Sequence, residues 1–167
     1  MMQHRPHVLQ VVGYSGSGKT TLLVKLIARL TACGYKVGTI KHDAHDFDVD
    51  KPGKDTWQHR EAGACIVSIT SAAKTAIMIR ERRSIEELLP MYEDMDVVFI
   101  EGYKWADYPK IVVLRHQEHT ELLENVTSVL MVAAWEPLPN ISCPQYHIND
   151  VTGLMKEVLL YLGGETD

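Results

Sequence analysis

The stretch VVGYSGSGKTT, Val11 to Thr21, decides the fold. Within it, Gly13-Tyr14-Ser15-Gly16-Ser17-Gly18-Lys19-Thr20 fits G-x-x-x-x-G-K-[ST] at every fixed position. Glycines at these places let the backbone curl so that successive N–H groups face inward and cradle phosphates. A helix starting just after the loop adds its positive N-terminal end to the same spot. Lys19 is then positioned for the β- and γ-phosphates, the Thr20 hydroxyl for Mg²⁺, and Thr21 for the α-phosphate.

The surroundings are those the motif requires. His7 to Val12 is a short apolar run, as expected of a buried parallel strand. After the loop, Leu22, Leu23, Leu26, Ile27 and Leu30 fall on one helical face, and Gly34 supplies a stop. Lys36 to Lys41 reads as the next strand, followed by a polar loop, His42 to Lys54, punctuated by Pro52-Gly53. Asp55 is expected to cap a helix running to Ala62 and ended by Gly63.

Cys65 to Thr70 and Ala76 to Arg80 read as two short strands that pair across a turn. Ser84-x-x-Glu87 is a capping box that opens a short helix, ended near Pro90. Asp96 to Ile100, Ile111 to Leu114 and Ser128 to Ala134 are further strands. A loop, EPLPNISCPQ, leads to a last helix capped by Asn149 or Asp150 and closed by Gly163-Gly164. Alternating strands and helices predict an α/β fold: a three-layer P-loop NTPase sandwich with a mainly parallel sheet and an antiparallel insertion near residues 65–80. The whole chain, residues 1–167, reads as one nucleotide-binding domain.

Composition narrows the function. At 167 residues, 46% apolar and 23% charged, the chain has the make-up of a globular protein. Its net charge of −5 argues against a general nucleic-acid binder, which needs a basic surface. Cys33, Cys65 and Cys143 form no CxxC pair and read as reduced thiols. No segment approaches the ~20 apolar residues of a membrane helix, and the N-terminus lacks a signal-peptide layout. The expectation is a cytoplasmic protein with no membrane or nucleic-acid partner.

A phosphate loop needs an acid at the end of a neighbouring strand to hold the metal, directly or through water. DVVFIEGYK, Asp96 to Lys104, offers Glu101 for that role, here through water, and Gly102 as bare backbone for close approach to a γ-phosphate. Asp96 belongs at the far end of that strand. The loop after the second strand is dense in metal-capable groups and is expected at the carboxyl end of the sheet. His42, Asp48, Asp50 and Lys54 are its candidates for lining the cleft, against the alternative of a solvated acidic loop. Arg80, Arg82 and Arg83 form a basic cluster that suits either a lid over transferred phosphate or a solvated turn. His116 and His119 read as surface residues.

The absences matter too. No N-K-x-D tetrad announces guanine, Tyr14 replaces the lysine of the deviant-loop ATPases, and no Gln or His follows Glu101-Gly102 to orient a water. With no arginine finger evident, hydrolysis should be slow, since positioning and charge neutralisation supply most of the rate.

The loop GYSGSGKTTL, the segment VGTIKHDAHDFDVDKPGKD, the REAGA turn and FIEGYK resemble, in order and spacing, the molybdopterin-guanine dinucleotide biosynthesis protein B family, MobB. The resemblance implies a P-loop GTP-binding protein, a homodimer, acting late in molybdenum cofactor assembly. It implies support of a MobA-type nucleotidyltransferase that joins GMP to molybdopterin, with contact to molybdopterin itself left open. It further implies GTP and Mg²⁺ as cofactors and at most a slow GTPase, with Lys19 and Glu101 as catalytic residues. By that resemblance Gly13 to Thr21 and Gly102 bind nucleotide, Thr20 and Glu101 hold Mg²⁺, and His42 to Asp55 line the same cleft. Guanine preference comes from the resemblance alone, with the segment around Ala134-Trp135 as the place where a base would lie. Two other readings stand beside it. A small-molecule kinase would use Arg80, Arg82 and Arg83 as its lid, and a metallochaperone GTPase would use His42 and His45.

Overall fold

A computed structural model describes residues 5–43 and 45–164. The chain divides into two compact units, one built from residues up to His42 and from Met91 onward, the other from Asp43–Pro90.

The first unit holds a six-stranded sheet of β1 (His7–Gly13), β2 (Val37–Lys41), β5 (Val97–Glu101), β6 (Lys110–Leu114), β7 (Val129–Ala134) and β8 (Gln145–His147). Their spatial order is β2-β5-β1-β6-β7-β8, and every pairing is parallel. β5 and β6 are buried along their whole length, which explains their apolar sequences apart from Glu101 at the end of β5 and Lys110 at the start of β6. β3 (Ile66–Thr70) and β4 (Thr75–Ile79) form an antiparallel pair in the second unit. The expected insertion near residues 65–80 is therefore present. The whole is a P-loop NTPase-like α/β fold.

Alternation along each strand separates two cores. Leu9, Val11, Phe99, Ile111, Val113, Met131 and Ala133 face α1 (Lys19–Ala32) and α5 (Val151–Tyr161), meeting Leu22, Leu26, Leu30, Leu154 and Val158. Val12, Val112, Leu114, Val132 and Ala134 face the opposite way and pack with Leu122 and Leu138. At about 1.5–3 kcal/mol per fully buried large side chain, these two layers supply the main drive to fold.

Local signals are obeyed with small shifts. Ser84 and Glu87 complete the capping box of α3 (Ile85–Leu88), and Pro90 falls in the 3₁₀ turn that follows. α2 (Asp55–Glu61) starts one residue earlier than expected. Lys54 is its cap, and Asp55 is its first residue, where a carboxylate suits the helix dipole without making a cap bond. Asp150, not Asn149, caps α5 by accepting the Gly153 N–H at 2.9 Å. Asp96 lies at the amino end of β5, accepting the Lys36 N–H at 2.6 Å, as the sequence suggests. The loop expected from Glu136 to Gln145 ends in the three-residue β8. α4 (Glu121–Glu124) and the 3₁₀ turn before it, Gln117–Thr120, were not expected.

Tyr146 in β8 donates its hydroxyl to Glu157 of α5 at 2.6 Å, and this bond pushes the phenol up to about 12. The folded protein thus keeps this proton above the ordinary value of 10.0. The bond's stabilisation is complete below the unfolded-state value and is lost as pH rises through about 12. Urea unfolding from pH 10 to about 12 is expected to show the wild-type midpoint falling toward that of Tyr146→Phe. Parallel profiles would refute the coupling.

Candidate functional site

The site is built where β1, α1, β5, β6 and β7 converge at the carboxyl end of the sheet. β1 ends at Gly13, and the loop from Tyr14 to Gly18 delivers the chain into α1. Gly18 has φ 102°, a left-handed conformation that favours glycine and lets the helix begin at Lys19. Gly13 is required for space: a Cβ there would lie 2.5 Å from the Val113 carbonyl oxygen and 2.7 Å from Ser17 Oγ. No side chain caps α1, and no acidic residue lies in its first turn. Its orphan N–H groups and positive end are therefore left for an external anion.

The expected residues of this unit do come together. Thr20 Oγ1 donates to Glu101 Oε1 at 2.7 Å, linking the start of α1 to the end of β5. Lys19 Nζ donates to the carbonyls of Gly13 at 3.1 Å and Tyr14 at 2.8 Å, so its ammonium lies over the loop it belongs to. Burial pulls the Lys19 pKa below the ordinary lysine value. Glu101 opposes this, while Lys104 and Lys41 add to it. Ser17 Oγ is buried without a partner, a polar atom left over inside the loop. A hydroxyl pair at a helix start, a strand-end carboxylate and a free helix N-terminus form a donor set that fits a Mg²⁺–polyphosphate.

Gly102 continues the same edge. Its N–H donates to the Val11 carbonyl at 3.1 Å, and the Gln10 side chain donates to the carbonyls of Gly102 at 3.1 Å and Tyr103 at 2.8 Å. Gln10 is wholly buried in β1; these two bonds satisfy its amide donors, while its Oε1 has no partner among the described residues. His42 follows β2 directly. Its N–H donates to the Glu101 carbonyl at 2.9 Å, and its ring lies 4.4 Å from that of Tyr103.

Asp48, Asp50 and Lys54 belong to the second unit, where they organise its own loop. Asp48 pairs with Arg60 at 2.9 Å, and Asp50 Oδ1 accepts the Thr56 hydroxyl at 3.0 Å. Lys54 is the exposed N-cap of α2. In the basic cluster, Arg83 is paired with Glu81 and Glu87, each at 2.9 Å, and Arg80 donates to the Arg60 carbonyl. Among the described residues no group of three or more His, Cys, Asp or Glu could hold a metal ion, and His42 and His45 gain no further ligand.

Several contacts around the loop escaped the sequence reading. Arg115, just beyond β6, donates to the Gly16 carbonyl at 2.8 Å. Trp135, just beyond β7, donates its indole N–H to the Ser17 carbonyl at 2.8 Å, and the Arg115 guanidinium lies 5.4 Å from its ring centre. In a trans peptide C=O and N–H point opposite ways, so tying the Ser17 carbonyl to Trp135 turns the Gly18 N–H the other way. Tyr14 is held from three directions. Its hydroxyl donates to Glu121 at 2.9 Å, its ring lies 4.7 Å from that of His119, and Lys104 Nζ sits 4.2 Å from its ring centre. The bond to Glu121 raises the Tyr14 pKa. The sequence placed the segment around Ala134-Trp135 near a base but gave no sign of its bond to the loop, and for Arg115 the only signal was its place directly after an apolar strand.

Comparison with known proteins agrees with this geometry. The family model for molybdopterin guanine dinucleotide synthesis protein B, MobB, matches residues 8–135. The molybdopterin-guanine dinucleotide biosynthesis adapter protein of Escherichia coli (strain K12) is 37% identical over 166 residues, covering 93% of each chain. The adapter protein of Haemophilus influenzae is 41% identical over 142 residues, 82% of this chain and 79% of that one. A crystal structure of Bacillus subtilis MobB superposes with a TM-score of 0.78 at 28% identity, covering 95% of this chain and 99% of that one.

Proposed function

This chain belongs to the molybdopterin guanine dinucleotide synthesis protein B family, and we propose that it acts by holding GTP–Mg²⁺ for a MobA-type nucleotidyltransferase. Its role is that of an adapter in molybdopterin-guanine dinucleotide biosynthesis. The observation that carries the nucleotide reading is the Thr20–Glu101 bond beneath an uncapped helix start.

In this reading Gly13 to Thr21 wrap the phosphates, with Lys19 leaving the loop carbonyls to meet the β- and γ-oxygens. Thr20 would hold Mg²⁺ through its hydroxyl and Glu101 would hold it through water, with Gly102 next to Glu101 as bare backbone. The metal supplies charge neutralisation on the phosphate oxygens. The protein's own residues bind and orient, and they do little to speed hydrolysis. Tyr103 stands where a water-positioning Gln or His would be useful, and it is engaged with the His42 ring. Arg115 is bonded to Gly16 and lies over Trp135, so it is not free to act as a finger. His42 is a cleft-lining residue in this reading.

The protein works in the cytoplasm as a homodimer that delivers nucleotide to its enzyme partner. Among the described residues no helix is long and apolar enough to cross a membrane. The β3–β4 hairpin leaves Ile66 and Ile77 on one face, 58% and 48% exposed, which favours a protein partner for that face.

Calorimetric titration with a non-hydrolysable GTP analogue and its ATP counterpart in Mg²⁺ tests the reading. The expected result is guanine-selective binding with turnover of GTP far below the ~10 s⁻¹ enzyme median. Equal or adenine-selective binding would overturn the guanine assignment.

A further inference from the structure

The two flanks of the phosphate loop differ. On the β5 side Glu101 holds Thr20, which is the metal side. On the other side Arg115 and Trp135 fasten the loop to the ends of β6 and β7. The residues immediately after these two fasteners, His116, Gln117 and Glu118 from one strand end and Glu136 from the other, are all exposed and line an open surface cavity of about 640 Å³. That volume is in the range of small-molecule sites, ~300–1,000 Å³. A phosphate chain that begins at the metal and follows the loop delivers its nucleoside on this flank, since the opposite flank is taken by the metal.

We propose that this cavity is the base subsite and that the Glu136 carboxylate reads the N1–H and N2 amino edge of guanine, an inference that rests on the nucleotide-binding function proposed above. The chemistry is selective. Guanine presents two parallel donors on that edge, and an ionised carboxylate is acceptor-only with two oxygens to meet them. Adenine presents an acceptor at N1 and a carbon-bound hydrogen beside it, so the same carboxylate repels it. Glu136 is also held in place: its Oε1 accepts the Gln117 backbone N–H at 3.2 Å, tying one wall of the cavity to the other. Its Oε2 has no partner among the described residues. This supplies a base reader in a chain that has no N-K-x-D tetrad.

The test compares wild type and Glu136→Gln for the triphosphates of guanosine, inosine, xanthosine and adenosine, by calorimetry in Mg²⁺ with thermal melting as a fold control. Wild type is expected to prefer guanosine over inosine, which lacks the amino group, by about tenfold or more, and to reject xanthosine and adenosine. In Glu136→Gln the amide can donate to the xanthine C2 carbonyl. Guanosine binding should fall about tenfold or more while xanthosine binding rises, a gain that misfolding cannot mimic. A variant that binds guanosine triphosphate as wild type does, without xanthosine gain, overturns the assignment of Glu136 and leaves the nucleotide function standing. A wild type that binds no triphosphate overturns both.

Discussion

Replacing Lys19 with Ala is expected to weaken binding of a GTP analogue by at least about a hundredfold while leaving the fold in place. The ammonium would make two charge-assisted hydrogen bonds to the β- and γ-oxygens, each worth roughly 1.5–3 kcal/mol. Their sum corresponds to two or more tenfold steps in affinity at about 1.4 kcal/mol per step. Stability should change far less. In the nucleotide-free protein the ammonium gains the carbonyls of Gly13 and Tyr14, but its burial beside Lys104 and Lys41 pulls its pKa down and works against the charged form. These effects oppose each other. Calorimetry and thermal melting on the same preparation check both halves, and a variant that binds within a few-fold of wild type would remove Lys19 from the phosphate site.

The second large effect concerns the metal. Glu101→Gln keeps the size of the side chain and an oxygen able to accept from Thr20, but it removes the charge that faces Mg²⁺. Affinity for GTP in Mg²⁺ is expected to fall about 10–100-fold, the usual cost of losing a group that orients a metal's ligands. With Mg²⁺ removed by chelation, variant and wild type should bind equally weakly. If the ratio between them is the same with and without Mg²⁺, Glu101 acts on the fold or the phosphates and not on the metal.

Much of this arrangement was legible before any coordinates, for reasons that are local. The phosphate loop is a continuous stretch whose glycines answer to backbone geometry. Ser84 and Glu87 are three residues apart and satisfy each other within one turn. β5 and β6 are buried on both faces, so their sequences have no polar interruption before Glu101 and after Lys110. What escaped is non-local. Arg115 meets Gly16 across 99 positions and Trp135 meets Ser17 across 118, and no spacing rule connects such pairs. β8 has only three residues, and its pairing with β7 comes from docking at the sheet edge, not from alternation. His116 is exposed, as the sequence suggests, while the packing of the half-buried His119 on the Tyr14 ring is another non-local contact. The partners of Asp48 Oδ1 and Asp50 Oδ1, Arg60 and Thr56, come from α2, and nothing in the acidic run itself named them.

The indole of Trp135 has one more consequence. Its six-membered ring would come within 3.4 Å of a Cβ on Gly18, and its N–H is bonded to the preceding carbonyl, so its electronic surroundings change whenever the loop does. The side chain is 42% exposed, which places it at the boundary where indole emission is sensitive to local polarity. A chromophore is thus wired to the phosphate loop by a single hydrogen bond. Occupancy of the loop is therefore expected to register in the protein's own tryptophan emission, with no label attached.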